Sequence, residues 1–294
     1  AGSIKGLIIL EMSLLSLTLE NLISPLHQKR RTHMNISLTY WTQQLANLPT
    51  SLELPTDYPR PSVKTFHSYI YTAKLPLTLS KNVDVLAKQQ GVTRFILLLS
   101  VFQLLLYRYS GQHDIVVGIP SSHHQNVAHN TSIESLESPL VLRVQIDDRE
   151  TITALVQNVK RTLSEAYDHQ DVLFEQLVEL LQPERSLAHF PLCQMMFIMQ
   201  NATSSLSEAD LKLPVTETIT TQFELTLSMQ ETKQGLVGYW TYNSDLFKAE
   251  TIARMANHFE NLLAAIVRNS QMSVGELPLL SVAERNQLLV DWNN

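Results

Sequence analysis

Residues 167–200, YDHQDVLFEQLVELLQPERSLAHFPLCQMMFIMQ, decide how the rest of the chain reads. Asp171 is a residue type that caps helix N-termini, and the helix it would start must end before Pro183, whose ring cannot continue it. A short turn leads to Cys193–Met199, a continuous apolar run of strand length, as expected where a strand is covered on both faces. Cys193, the single cysteine, cannot form an internal disulfide or a thiolate metal site, and within CQMMFIM it reads as a small buried hydrophobe.

Working outward, Thr151–Asp168 reads as a helix, Leu140–Ile146 as an alternating strand and His113–Ile119 as a strand apolar on both faces. Arg94–Tyr109, capped by Thr93, is apolar on nearly every side yet short for a membrane span, so it is expected as a central core helix. Ser80 is placed to cap a helix running to Gln90 that Gly91 ends, and Phe66–Lys74 reads as a strand. Residues 49–61 hold four prolines and are expected to run as an irregular tether across a surface, preceded by a short amphipathic helix over Leu38–Leu48. Downstream, Phe223–Met229 and Leu236–Tyr242 form a hairpin turning near Gly235, and Ala249–Val267 a closing amphipathic helix. Strands and helices interleave without a strict βαβ repeat, which implies an α/β fold: a mixed sheet with helices packed on it.

Composition excludes several classes. The chain has 294 residues, is 44% apolar and 17% charged, and carries a formal charge of −6 with no long basic cluster, which argues against nucleic acid. The low charge fits a piece of a larger assembly. Leu7–Leu26 is rich in leucine and isoleucine, but Glu11 and Glu20 interrupt it, so it neither spans a membrane nor forms a secretory signal. It reads as a helix whose apolar side expects protein, and a start at alanine leads to the expectation that preceding sequence has been lost.

The opening stretch resembles the block HQDxPFExLVxxLxPxRxxSxxPLxQVMFxxQ of condensation domains of nonribosomal peptide synthetases. The similarity extends through residues 38–49 (LTYWTQQLANLP), 52–61 (LELPTDYPRP), 91–120 (GVTRFILLLSVFQLLLYRYSGQHDIVVGIP), 245–263 (DLFKAETIARMANHFENLL) and 277–294 (LPLLSVAERNQLLVDWNN). The resemblance implies a chloramphenicol acetyltransferase-like fold, two lobes in a V with a tunnel between them. It divides the chain into a remnant of the N-terminal lobe (1–48), the proline-rich tether (49–65), one complete C-terminal lobe (66–276) and a linker toward an adenylation domain (277–294).

The complete parent is then expected to form an amide bond between a carrier-bound acyl or peptidyl thioester and a carrier-bound aminoacyl thioester. Its partners would be adenylation and peptidyl carrier domains in the cytoplasm, with phosphopantetheine on the carriers and no cofactor or metal bound directly. The family takes its base from an HHxxxDG block, which this sequence lacks. His123-His124 sits instead in GIPSSHHQNVAHN, with Ala128 where the aspartate would fall, and reads as a loop pair; His129 adds no metal site there. No catalytic residue is therefore assigned, and the chain is expected to be inactive alone. If the start AGSIKG follows that block, Gly2 matches its glycine and Ala1 stands near its aspartate.

Other departures concern the tunnel. Where the family's tunnel floor reads GFFVNT, this chain reads ESLESP, placing Glu134, Ser138 and Pro139 at the glycine, asparagine and threonine. Leu173 replaces the proline of HQDxPFE, and Ser186 and His189 replace aspartate and arginine. His169, Gln170, Asp171, Phe174 and Glu175 match the family block and are read as a structural motif, and Glu224, in QFELTL, as a structural residue at a strand end. Two alternatives stand beside the condensation reading: a noncatalytic scaffold docking adenylation or carrier domains through the helix from Ala249 and the tail from Leu277, and an epimerase-like relative.

Overall fold

A computed structural model describes residues 32–121, 139–183, 187–200 and 222–287. The N-terminal apolar segment, the His123-His124 loop, Glu134, Ser138, Ser186 and the last seven residues lie outside that set. Six strands form one mixed sheet: β1 (Ser68–Lys74), β2 (Asp114–Pro120), β3 (Pro139–Gln145), β4 (Met195–Gln200), β5 (Leu225–Thr232) and β6 (Gly235–Asn243), in spatial order β1-β6-β5-β4-β2-β3. The pairs β2–β4 and β4–β5 are parallel and the others antiparallel. The expected strands and the β5–β6 hairpin are all present, each within a few residues of its predicted bounds.

The helices are α1 (32–44), α2 (Leu77–Gln89), α3 (Arg94–Ser110), α4 (Ile152–Asp168), α5 (Phe174–Leu181), α6 (Ala249–Arg268) and the short α7 (Val282–Asn286). Helix α3 is the centre of the molecule. It touches α2, α4, α6, β2 and β4, and every residue from Ile96 to Tyr107 is buried, which is why its sequence is apolar all round. Register places Phe197, Leu227 and Trp240 in one row across β4, β5 and β6. Phe102 of α3 packs on Phe197 and Trp240 at 5.8 and 6.1 Å, and Trp240 meets Phe259 of α6 edge-on at 5.8 Å. Cys193 is fully buried beside this core, and burial pushes its thiol up to about 12, so it is inert at neutral pH. Among the described residues no single helix is long and apolar enough to cross a membrane.

Local signals predict some helix ends and miss others. Thr93 and Thr151 cap α3 and α4 as expected, accepting from Ile96 and Ala154, and Gly91 adopts φ +63° after α2. Ser80 is not a cap: α2 starts at Leu77, and the buried Ser80 hydroxyl donates to Pro76 O at 3.2 Å and accepts from Leu236 N at 3.0 Å. The first helix begins before Leu38 and stops at residue 44.

The proline-rich segment also differs from a surface tether. It has no regular structure, yet Leu52 and Leu54 are buried, Leu52 N donates to Gln194 Oε1 at 3.1 Å, and Arg60 forms an ion pair with Glu224. Asp57 accepts from Lys248 N at 2.8 Å and Thr251 Oγ1 at 2.9 Å, supplying the cap that α6 lacks locally. The segment is a strap bolted to the sheet and to α6.

Candidate functional site

The turn between α4 and α5 gathers the residues that the sequence singles out. His169 ends α4, and α5 starts after Leu173. Asp171 does not cap α5, contrary to expectation. Gln176 Oε1 accepts from Leu173 N at 2.9 Å there, while Leu173 has no acceptor of its own to offer. The Asp171 carboxylate turns instead to α1, where Ser37 Oγ donates to Oδ1 at 2.8 Å and His33 Nδ1 lies 3.2 Å from Oδ2.

Ser37 is fully buried, and its oxygen is 3.1 Å from His169 Nδ1. Because the serine proton is committed to Asp171, His169 must carry its proton on Nδ1 and donate to that oxygen. Trp41 Nε1 donates to His169 O at 2.9 Å, and the Tyr40 ring stacks on the imidazole at 4.3 Å. Burial, followed by the Glu165 charge, pushes the Tyr40 phenol up to about 12.

Serine, histidine and aspartate thus meet, but not as a nucleophilic triad. There a histidine accepts the serine proton while the carboxylate orients the histidine; here Asp171 takes the serine proton and the imidazole donates to the serine. The cluster is a clamp that holds α1 to the α4–α5 turn. Gln170 belongs to the same turn, Glu175 lies in the first turn of α5, and Phe174 stacks on Phe190 at 5.1 Å. Sequence reasoning missed His33, Ser37 and Tyr40. The available signal was polar and aromatic residues on the otherwise packing face of an amphipathic helix.

Two further places bear on function. Pro139 is buried at the start of β3, opposite Pro120, and lies 3.1 Å from where a Cβ on Gly118 would stand. Glu224, at the mouth of β5, is 5% exposed and paired with Arg60; burial raises its carboxyl while Arg60 opposes that. It is the structural residue expected at that strand end. A narrow cleft beside it is lined by Lys64, Thr65, His189 and Asn243, and burial lowers the Lys64 ammonium. Among the described residues no group of three or more His, Cys, Asp or Glu is arranged to hold a metal ion.

A family model described as Condensation domain matches residues 24–289. The chain belongs to the condensation-domain family, of the nonribosomal peptide synthetase type, and its sheet with flanking helices is that family's fold. It is 41% identical over 262 residues to one of the linear gramicidin synthase subunits of Brevibacillus parabrevis, covering 87% of this chain and 3% of that protein. To surfactin synthase subunit 1 of Bacillus subtilis (strain 168) it is 34% identical over 257 residues, covering 86% of this chain and 7% of that protein. Among solved structures, a four-domain nonribosomal peptide synthetase bound to AMP and glycine matches with TM-score 0.73 and 25% identity, over 85% of this chain and 20% of that one. The X-domain from teicoplanin biosynthesis matches with TM-score 0.71 and 22% identity, over 84% of this chain and 57% of that one. The chain therefore spans only a few per cent of the length of the synthases it matches.

Proposed function

We propose that this chain is part of a condensation domain in a larger cytoplasmic synthetase that joins an acyl or peptidyl thioester to the amine of an aminoacyl thioester. Both substrates would ride on phosphopantetheine arms of carrier domains, and residues 277–294 would lead toward an adenylation domain. The observation that supports this most strongly is the family match over residues 24–289.

In the reaction the amine lone pair attacks the thioester carbonyl, the C–N bond forms and the C–S bond breaks. The proton lost by nitrogen ends on the departing thiol. A neutral amine is needed, and a positioned base contributes roughly 10²–10⁴ in rate. None of the described clusters offers one: the His169 imidazole donates to Ser37, and Glu224 is held by Arg60. The described residues would accordingly supply framework and tunnel wall, including Pro139, rather than the base.

Incubating the purified chain with loaded donor and acceptor carriers should yield no amide above a blank without protein. Product that disappears in His124→Ala would overturn this reading and give that loop histidine a catalytic role. A scaffold reading is favoured by the firm seating of the exit segment on α3 and α6. It predicts that the purified chain binds an adenylation or carrier domain without turnover.

A further inference from the structure

The segment leaving the sheet is held by side chains from two helices. Arg108 of α3 donates to Leu277 O at 2.9 Å, and Asn261 of α6 donates to Leu279 O at 3.1 Å. Ser281 then opens α7, with Ser281 N donating to Glu284 Oε2 at 2.8 Å and Glu284 N to Ser281 Oγ at 3.2 Å. This capping box uses one oxygen of Glu284. The other lies 3.1 Å from Nε2 of His258, a residue of α6 that is 3% exposed, while His258 Nδ1 lies 2.7 Å from the Tyr109 hydroxyl of α3.

These contacts have one consistent direction. A carboxylate only accepts, so His258 carries its proton on Nε2; Nδ1 then accepts, and Tyr109 donates to it. Arg254 in turn hydrogen-bonds Tyr109. The chain Arg254, Tyr109, His258, Glu284 is satisfied throughout when the imidazole is neutral. A second proton, on Nδ1, would face a hydroxyl that must surrender its own donor role while already accepting from a guanidinium, and would bring two cations together in a buried place.

We propose that His258 is a proton-operated latch on the exit segment: the neutral imidazole holds α7 against α6 and α3, and protonation of Nδ1 releases it. Four groups face or flank the ring: Tyr109 from α3, Arg254 from α6, Glu284 from α7 and the solvent that is excluded. Glu284 favours the imidazolium; burial, the largest influence, and Arg254 oppose it, and the balance lowers His258 below its ordinary value. The released state thus binds the proton more readily than the docked one. Between the docked midpoint and the ordinary histidine value, docking weakens as pH falls, by at most about tenfold per pH unit. The inference does not depend on the chain's reaction.

The test follows the His258 imidazole by NMR in the full chain and measures amide hydrogen exchange over 277–287 between pH 7.5 and 5, corrected for intrinsic exchange. The expected result is a midpoint below that of an exposed histidine, with exit-segment protection falling about tenfold or more along the same curve and α3 unchanged. His258→Gln should make that protection independent of pH. A midpoint at or above the ordinary value, protection that ignores pH in the natural chain, or a pH-dependent His258→Gln would overturn the latch. If the variant fails to fold, the titration and exchange of the natural chain decide alone.

Discussion

Gln103 lies in the middle of α3, fully buried, and neither end of its amide has a hydrogen-bond partner. An unsatisfied buried polar group costs about 1–3 kcal/mol, so Gln103→Leu should stabilise the protein by about that amount, seen as a higher urea midpoint. No gain would show that the amide finds partners in solution. Arg60 and Glu224 make the opposite case. Arg60→Met leaves a carboxylate at 5% exposure without its cation, at a cost of about 3 kcal/mol near neutral pH. Burial raises the folded carboxyl above its unfolded value, so the folded state takes up the proton first and stability grows as pH falls toward the ordinary carboxylate range. The deficit of the variant should therefore shrink between pH 7.5 and pH 5 in denaturant titrations. A deficit that stays constant would mean that the pair's charge is not what is lost.

At the scale of elements, the docking of α1 depends on a carboxylate far along the chain. Asp171→Ala strands the buried Ser37 hydroxyl and should cost about 1–3 kcal/mol. Amides over 32–44 should then exchange well before those of the sheet. Unchanged protection there would assign the docking to Trp41 and Tyr40 alone. The same element shows why sequence reading stops where it does. Thr93 and Thr151 cap amides three positions away, so their roles are visible in a short window. The partner of Ser80 is 156 positions distant and that of Asp171 is 134, and in both the long-range acceptor or donor displaced the local one that the residue type suggests. The strap was misread for the same reason. Prolines announce an irregular path, but only the folded sheet shows that Leu52, Leu54 and Asp57 have somewhere to go.

For the whole molecule, the mixed sheet, the buried α3 and the family were legible because apolar periodicity and a long, ordered set of blocks carry them. The clamp was legible as a set of residues, His169 to Glu175, but its partners on α1 and hence its structural use were not. The strand order has a further consequence. The edge strand β1 can complete its pairing only with β6, Ser68 meeting Asn243, and α6 must then close over the row that holds Trp240. On a ribosome adding 5–20 residues per second, β1 waits roughly 10–35 s for that partner to be made. Through that interval the leucines of α3 have been synthesised but cannot be fully covered. The pace of translation between β2 and β6, and any chaperone that shields α3 meanwhile, therefore bear on how much of a long synthetase emerges correctly folded.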